Sequence, residues 1–94
     1  MAELYRTKED YHVVEANQLT SENALVLSAW CEGVLVKEHD ALQHDITFSA
    51  INVPTPEGMK RAQEGNWIVR TIQGHFYSVT QFEFDLIYEA VVDG

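Results

Sequence analysis

The side chains most suited to chemistry are two histidine–aspartate pairs, His39-Asp40 and His44-Asp45. Imidazole and carboxylate are both ligands for a divalent ion. Their spacing of five residues, however, puts the histidines on different faces of a helix and on opposite faces of a strand. The pairs therefore read as parts of a polar loop. Cys31 stands beside Trp30 in an apolar helical turn with no base within one turn, the setting of an inert thiol. Ser49, Ser78 and Thr71 have no neighbouring base, and no G-x-S-x-G elbow occurs. Gly58, Gly65 and Gly74 each punctuate a separate turn and form no phosphate-cradling loop. Lys60-Arg61 is a basic dipeptide without a surrounding patch. The expectation is a protein that is not an enzyme and holds no metal and no cofactor.

Arg70, Gln73 and His75 gather near the tip of a hairpin and are the residues assigned to partner binding. Arginine and aromatic side chains are enriched at binding hot spots, and Tyr77 lies close by. Tyr77 itself reads as a core residue with its hydroxyl reaching solvent, and Trp67 as a core anchor.

Charge is the strongest bias of the composition. Fifteen carboxylates against six Lys/Arg give a net charge of −9, which repels phosphate backbones and disfavours direct nucleic-acid binding. The acids are scattered in the manner of a solvated surface, with no dense run at phosphate-like spacing. Ninety-four residues allow one domain, and 46% apolar content is that of a globular chain. One cysteine permits no internal disulfide. The N-terminus lacks a signal-peptide core and no apolar run approaches the ~20 residues of a membrane span. A cytoplasmic setting follows as an expectation.

These side chains need elements to hold them. Residues 1–10 are polar and read as a loosely held segment preceding one domain over 11–94. His12–Gln18 is a first strand by its β-rich pattern. A central helix follows at about 21–32, capped by Thr20 or Ser21, apolar on more than one face, and ended by Gly33 as a left-handed residue. Val34–Lys37 is a short strand and Glu38–Asp45 a polar connection. Ile46, Phe48 and Ala50 share one face of the next strand, while Ile51 and Val53 fall on the other, implying a bulge or a strand covered on both sides. Met59–Gln63 is an edge strand guarded by its charges.

The hairpin from Trp67 to Tyr77 has two registers. A two-residue turn would force Gln73 into positive φ, whereas a three-residue loop, Ile72-Gln73-Gly74, needs only Gly74 there. The second pairs Thr71 with His75, Val69 with Tyr77 and Trp67 with Val79. Thr80-Gln81-Phe82-Glu83 is a capping box for a short helix at about 81–87, and Ala90-Val91-Val92 closes the sheet. The fold class is α+β: a curved or barrel-like antiparallel sheet with one central and one short C-terminal helix.

Gly65, Trp67, Ile68, Val69, Arg70, Ile72, Gly74, Phe76, Tyr77, Phe84, Tyr88 and Glu89 resemble the C-terminal signature of a family of small uncharacterised bacteriophage proteins, common in phages of actinobacteria. That signature runs Gly-Asp-Trp-Ile-Ile-Arg/Lys-Gly-Val-x-Gly-Glu-Phe-Tyr, with a Phe and a Tyr-Glu further on. Val13–Ala16, Gln18–Thr20, Glu22–Ala24, Trp30-Cys31 and Gly33 agree more loosely, so the likeness spans most of 11–91. Asn66, Thr71, His75 and Ser78–Thr80 depart from it. The resemblance implies a phage origin, the cytoplasm of an infected bacterium and a compact α+β fold, but no activity. The expected function is that of a small acidic phage accessory protein acting by protein–protein contact with a host or phage protein, or with a second copy of itself. The alternatives are a DNA-mimic inhibitor of a host nucleic-acid enzyme, a small-molecule or nucleotide-binding module, and a virion or assembly component.

Overall fold

The computed structural model describes residues 3–40 and 45–91, with side chains outside the description for 37–40 and 45–49. In chain order the elements are β1 (Glu3–Thr7), β2 (Val13–Gln18), α1 (Ala24–Trp30), β3 (Val34–Asp40), β4 (Asp45–Thr55), β5 (Gly58–Gln63), β6 (Trp67–Arg70), β7 (Phe76–Val79), α2 (Gln81–Ile87) and β8 (Tyr88–Ala90). The fold is α+β, as expected, but its strands divide into two antiparallel sheets. One has the order β7-β6-β2-β1-β8 and the other β3-β4-β5. Among the described residues no helix is long and apolar enough to cross a membrane.

The segment expected to be loose is a strand. Residues 3–7 form β1, which lies inside the five-stranded sheet and pairs Tyr5 with Val14 on one side and with Ala90 on the other. A polar strand is stable there because only one of its faces is covered. Tyr5 packs inward while Leu4 and Arg6 face out.

The polar stretch 38–45 is likewise not a simple connection. The β3–β4 ladder takes in its residues 38–40 and 45, with Glu38 opposite Thr47, His39 opposite Ile46 and Asp40 opposite Asp45. Ladder bonds use backbone groups, so a hairpin begun at Val34–Val36 extends whatever its side chains are. The expected bulge is present: Val36 opposes Ala50 and Lys37 opposes Phe48, leaving Ser49 as the extra residue.

Two cores lie on opposite faces of β6. Ile68 enters one with Leu19, Leu27, Cys31, Ile51 and Val53, beneath α1 and the three-stranded sheet. Val69 enters the other with Val14, Ala16 and Phe84, beneath α2. A strand covered on both faces reads as a continuous apolar run, which is why Trp67-Ile68-Val69 does not alternate. Burial of each large aliphatic side chain contributes roughly 1.5–3 kcal/mol.

Helix α1 differs from expectation in two ways. It is shorter, because the Asn23 side chain accepts from the Thr20 N–H at 2.8 Å and donates to the Gln18 carbonyl at 2.8 Å, holding residues 20–23 in a turn. It is also less immersed: Ala24, Leu27 and Ser28 are buried, whereas Leu25 and Val26 are about two-thirds exposed. The helix end is a Schellman motif in which Gly33 N–H donates to the Ser28 carbonyl at 2.8 Å. Its left-handed residue is Glu32, with φ 57°, and not Gly33. Gly33 serves another purpose. A Cβ there would lie 2.7 Å from Ile51 Cγ2, 2.8 Å from the Asn52 carbonyl oxygen and 2.9 Å from Cys31 Sγ.

Candidate interaction site

One end of the five-stranded sheet collects three connections: the β1–β2 turn, the β6–β7 tip and the start of β8. Each is shaped by local chemistry. At the tip, Gly74 adopts φ 86°, its N–H donates to the Thr71 carbonyl at 2.9 Å, and Thr71 N–H donates to the His75 carbonyl at 2.9 Å. The three-residue loop and its pairings therefore form as the turn chemistry requires, with Val69 opposite Tyr77 and Trp67 opposite Val79. Ile72 stands at the corner and is 92% exposed.

The β1–β2 turn is tied at both ends. Thr7 N–H donates to the His12 carbonyl at 2.9 Å, and Tyr11 N–H donates to the Thr7 carbonyl at 3.0 Å. Lys8 N–H donates to the Ile87 carbonyl at 2.9 Å and Lys8 Nζ to the Asp85 carbonyl at 2.6 Å, docking the turn on the end of α2. Tyr11 is held at φ 57°, a left-handed conformation that costs a bulky residue roughly 1–2 kcal/mol. Its ring lies 4.9 Å from the Arg6 guanidinium, a cation–π contact that fixes the aromatic face in position.

Between the turn and the tip is a cleft of about 490 Å³, lined by Tyr11, Val13, Val14, Ile72, Gln73 and Tyr88 among others. Burial raises the Tyr88 phenol above its ordinary pKa, with the Tyr77 phenol a lesser cause, so it stays neutral in this apolar setting. The cleft offers apolar contact area and, from Thr7, His12, Thr71 and Gln73, a few hydrogen-bonding groups.

The three residues assigned to partner binding surround the tip without converging. Gln73 lines the apolar cleft. Arg70 turns to the other face of the sheet, where it meets Glu15 at 3.2 Å directly across the ladder and lies 6.0 Å from the Phe76 ring. His75 borders a separate shallow depression with Pro54, Pro56 and Phe76. Tyr11, Val13 and Ile72 were not singled out by their sequence. For Ile72 a signal exists, since the favoured register sets a β-branched apolar residue at a corner where polar residues are usual. For Tyr11 none does.

A second concavity, polar and of about 440 Å³, lies where the open edges of β5 and β7 face each other. Lys60, Arg61, Asn66, Tyr77, Ser78 and Thr80 line it, together with Glu57 and Glu83. Lys60 and Arg61 make no ion pair or hydrogen bond among the described residues, whereas Arg6 is bound to Glu89 at 2.7 Å and Arg70 to Glu15.

Other candidates from the sequence are placed as follows. Cys31 is fully buried, and desolvation pushes its thiol above the ordinary value. Its Sγ–H points to the Ser28 carbonyl at 3.9 Å. The side chains of His39, Asp40, Asp45 and Ser49, and His44 as a whole, lie outside the described residues. Among the described residues no three His, Cys, Asp or Glu side chains converge to hold a metal ion. Comparison with family models, with curated proteins and with solved structures finds no match.

Proposed function

We propose that the chain is a small binding domain acting by protein–protein contact, without covalent chemistry, through the cleft between Tyr11 and Ile72. The observation that carries this reading is the exposure of Ile72 at 92% beside Tyr11 at 62% and Val13 at 47%. Apolar side chains grouped at the mouth of a concavity gain free energy only when something covers them. The resemblance to small phage proteins adds the setting of the proposal: an accessory protein in the cytoplasm of an infected bacterium, with a host or phage protein as partner. Affinity capture with the tagged chain and with Ile72→Ser tests it. A protein retained by the first and lost from the second supports the reading, and identical retention by both would refute it.

A second reading is favoured by one specific observation, that the two uncommitted cations Lys60 and Arg61 line the same polar cleft. On that reading the β5–β7 cleft takes a small anionic ligand, held by the cations and by the hydroxyls of Tyr77, Ser78 and Thr80. Titration with inorganic phosphate, followed by amide chemical shifts, distinguishes the two. Saturable shifts at Lys60, Arg61 and Ser78 that vanish in Lys60→Ala/Arg61→Ala favour the ligand, and unchanged spectra count against it.

A further inference from the structure

The apolar cleft also carries information about the charge of what fills it. Asp10 and Glu9, one and two residues before Tyr11 in the turn between Thr7 and His12, are exposed and make no hydrogen bond or ion pair among the described residues. The described lysine and arginines at this end of the sheet each have a partner, a carboxylate for Arg6 and Arg70 and a neutral carbonyl for Lys8. Arg6 holds Glu89 at 2.7 Å and covers the Tyr11 ring, Lys8 holds the Asp85 carbonyl, and Arg70 holds Glu15. The uncommitted cations Lys60 and Arg61 line the separate polar cleft. The turn that brings Tyr11 to the cleft thus also carries two exposed carboxylates against the single charge of Lys8, on a chain whose net charge is −9.

From this we infer that the cleft takes a basic protein segment, one that presents a large apolar side chain flanked by lysine or arginine. The inference rests on the reading of the cleft as a contact surface and adds the chemistry of the partner. An apolar anchor would enter between Tyr11 and Ile72, supplying most of the affinity. The flanking cations would meet Glu9 and Asp10 at the rim, where charge complementarity sets the encounter rate and excludes wrong partners more than it adds affinity. A second copy of the chain is disfavoured as occupant because it brings another net charge of −9 against the first. An acidic segment meets the same repulsion.

The test uses two fluorescein-labelled peptides with the same leucines, one with lysine and one with glutamate at every other position. Fluorescence anisotropy is read with wild type, Ile72→Ser and the double variant Glu9→Gln/Asp10→Asn. All three altered residues are exposed, so the fold is retained, as circular dichroism and a melting curve will verify. The lysine peptide is expected to bind wild type and the glutamate peptide not. Ile72→Ser, which leaves the charge unchanged, is expected to weaken binding about tenfold, as loss of a buried aliphatic side chain would. The double variant is expected to weaken it about threefold and to flatten its dependence on NaCl concentration.

If both peptides bind alike and Ile72→Ser weakens both, the basic partner is overturned and the contact surface stands. If the lysine peptide is preferred but the double variant binds as wild type does, the role of the Glu9-Asp10 rim is overturned. If neither peptide binds at millimolar concentration, or if Ile72→Ser changes nothing, the reading of the cleft fails together with the inference.

Discussion

The indole of Trp67 lies flat on the ring of Phe84, with centroids 3.9 Å apart and planes 6° from parallel. This one contact joins β6 to α2, and Tyr5 closes it edge-on from β1 at 5.5 Å and 4.9 Å. The indole N–H donates to Gln81 Oε1 at 3.0 Å, so the polar end of the ring is satisfied as well. Phe84→Ala would empty the centre of this cluster and is expected to destabilise the fold by about 3–5 kcal/mol in urea unfolding. Near-ultraviolet circular dichroism should lose the signal of the coupled rings in the same variant.

The end of α1 gives two adjacent substitutions with opposite signs. Gly33→Ala sets a methyl group against Ile51, the Asn52 backbone and Cys31, and overpacking of this kind costs about 1–3 kcal/mol. Glu32→Gly replaces a left-handed glutamate by the residue that adopts φ 57° without a steric cost, and is expected to stabilise by about 0.5–1 kcal/mol. Reversal of these signs in denaturant midpoints would show that the chain leaves the helix by another path.

At the start of α2, Thr80 and Glu83 form a reciprocal capping box. Glu83 N–H donates to Thr80 Oγ1 at 3.1 Å, and Thr80 N–H donates to Glu83 Oε1 at 3.0 Å. Thr80→Ala is expected to cost about 1 kcal/mol. The Thr80 backbone N–H, and after it the hydroxyl, hold the Glu83 carboxyl below the usual glutamate range. Because the folded pKa is the lower one, this contribution is complete above the unfolded value and is lost as pH falls through the folded value. Glu83→Gln should keep the cap and flatten that part of the acid-side decline, as thermal melts across the acidic range would reveal.

Cys31 offers a readout of global opening. A fully buried thiol with a raised pKa presents almost no thiolate, so a disulfide reagent should modify the native protein only through unfolding. Modification rates are expected to rise with urea in parallel with the unfolded fraction. Rapid reaction in the absence of denaturant would mean that α1 opens separately from the sheets.

Local chemistry explains which parts of this architecture were legible from sequence. The β6–β7 register followed from the cost of positive φ at Gln73, and the box at Thr80 followed from two side chains three residues apart. Both are decided within a few residues. The interior place of β1, between β2 and β8, was not legible, because its inward face carries a single large side chain, Tyr5, and its partners lie at Val14 and Ala90. Leu25 and Val26 have the composition of a buried helix face, and only the position of the three-stranded sheet leaves them outside. The candidate site was partly legible. Of the residues picked at the hairpin tip, Gln73 lines the cleft, whereas Arg70 is drawn away by Glu15, its opposite number on β2. Tyr11 and Val13 reach the same place only through pairing of β2 with both β1 and β6, which no local pattern encodes.

The pairing of β1 with β8, locked by Arg6 and Glu89 across a separation of 83 residues, also sets an order of events for a chain growing from its N-terminus. The β6–β7 hairpin can form from its own neighbours within microseconds of emerging. The strand at residues 3–7 has to wait until residues 88–90 exist before its outer edge is covered. Until then its open edge is available to pair with whatever strand it meets, including its counterpart on another nascent chain. The interval between synthesis of β1 and synthesis of β8 is therefore the period in which this protein is most exposed to misassembly.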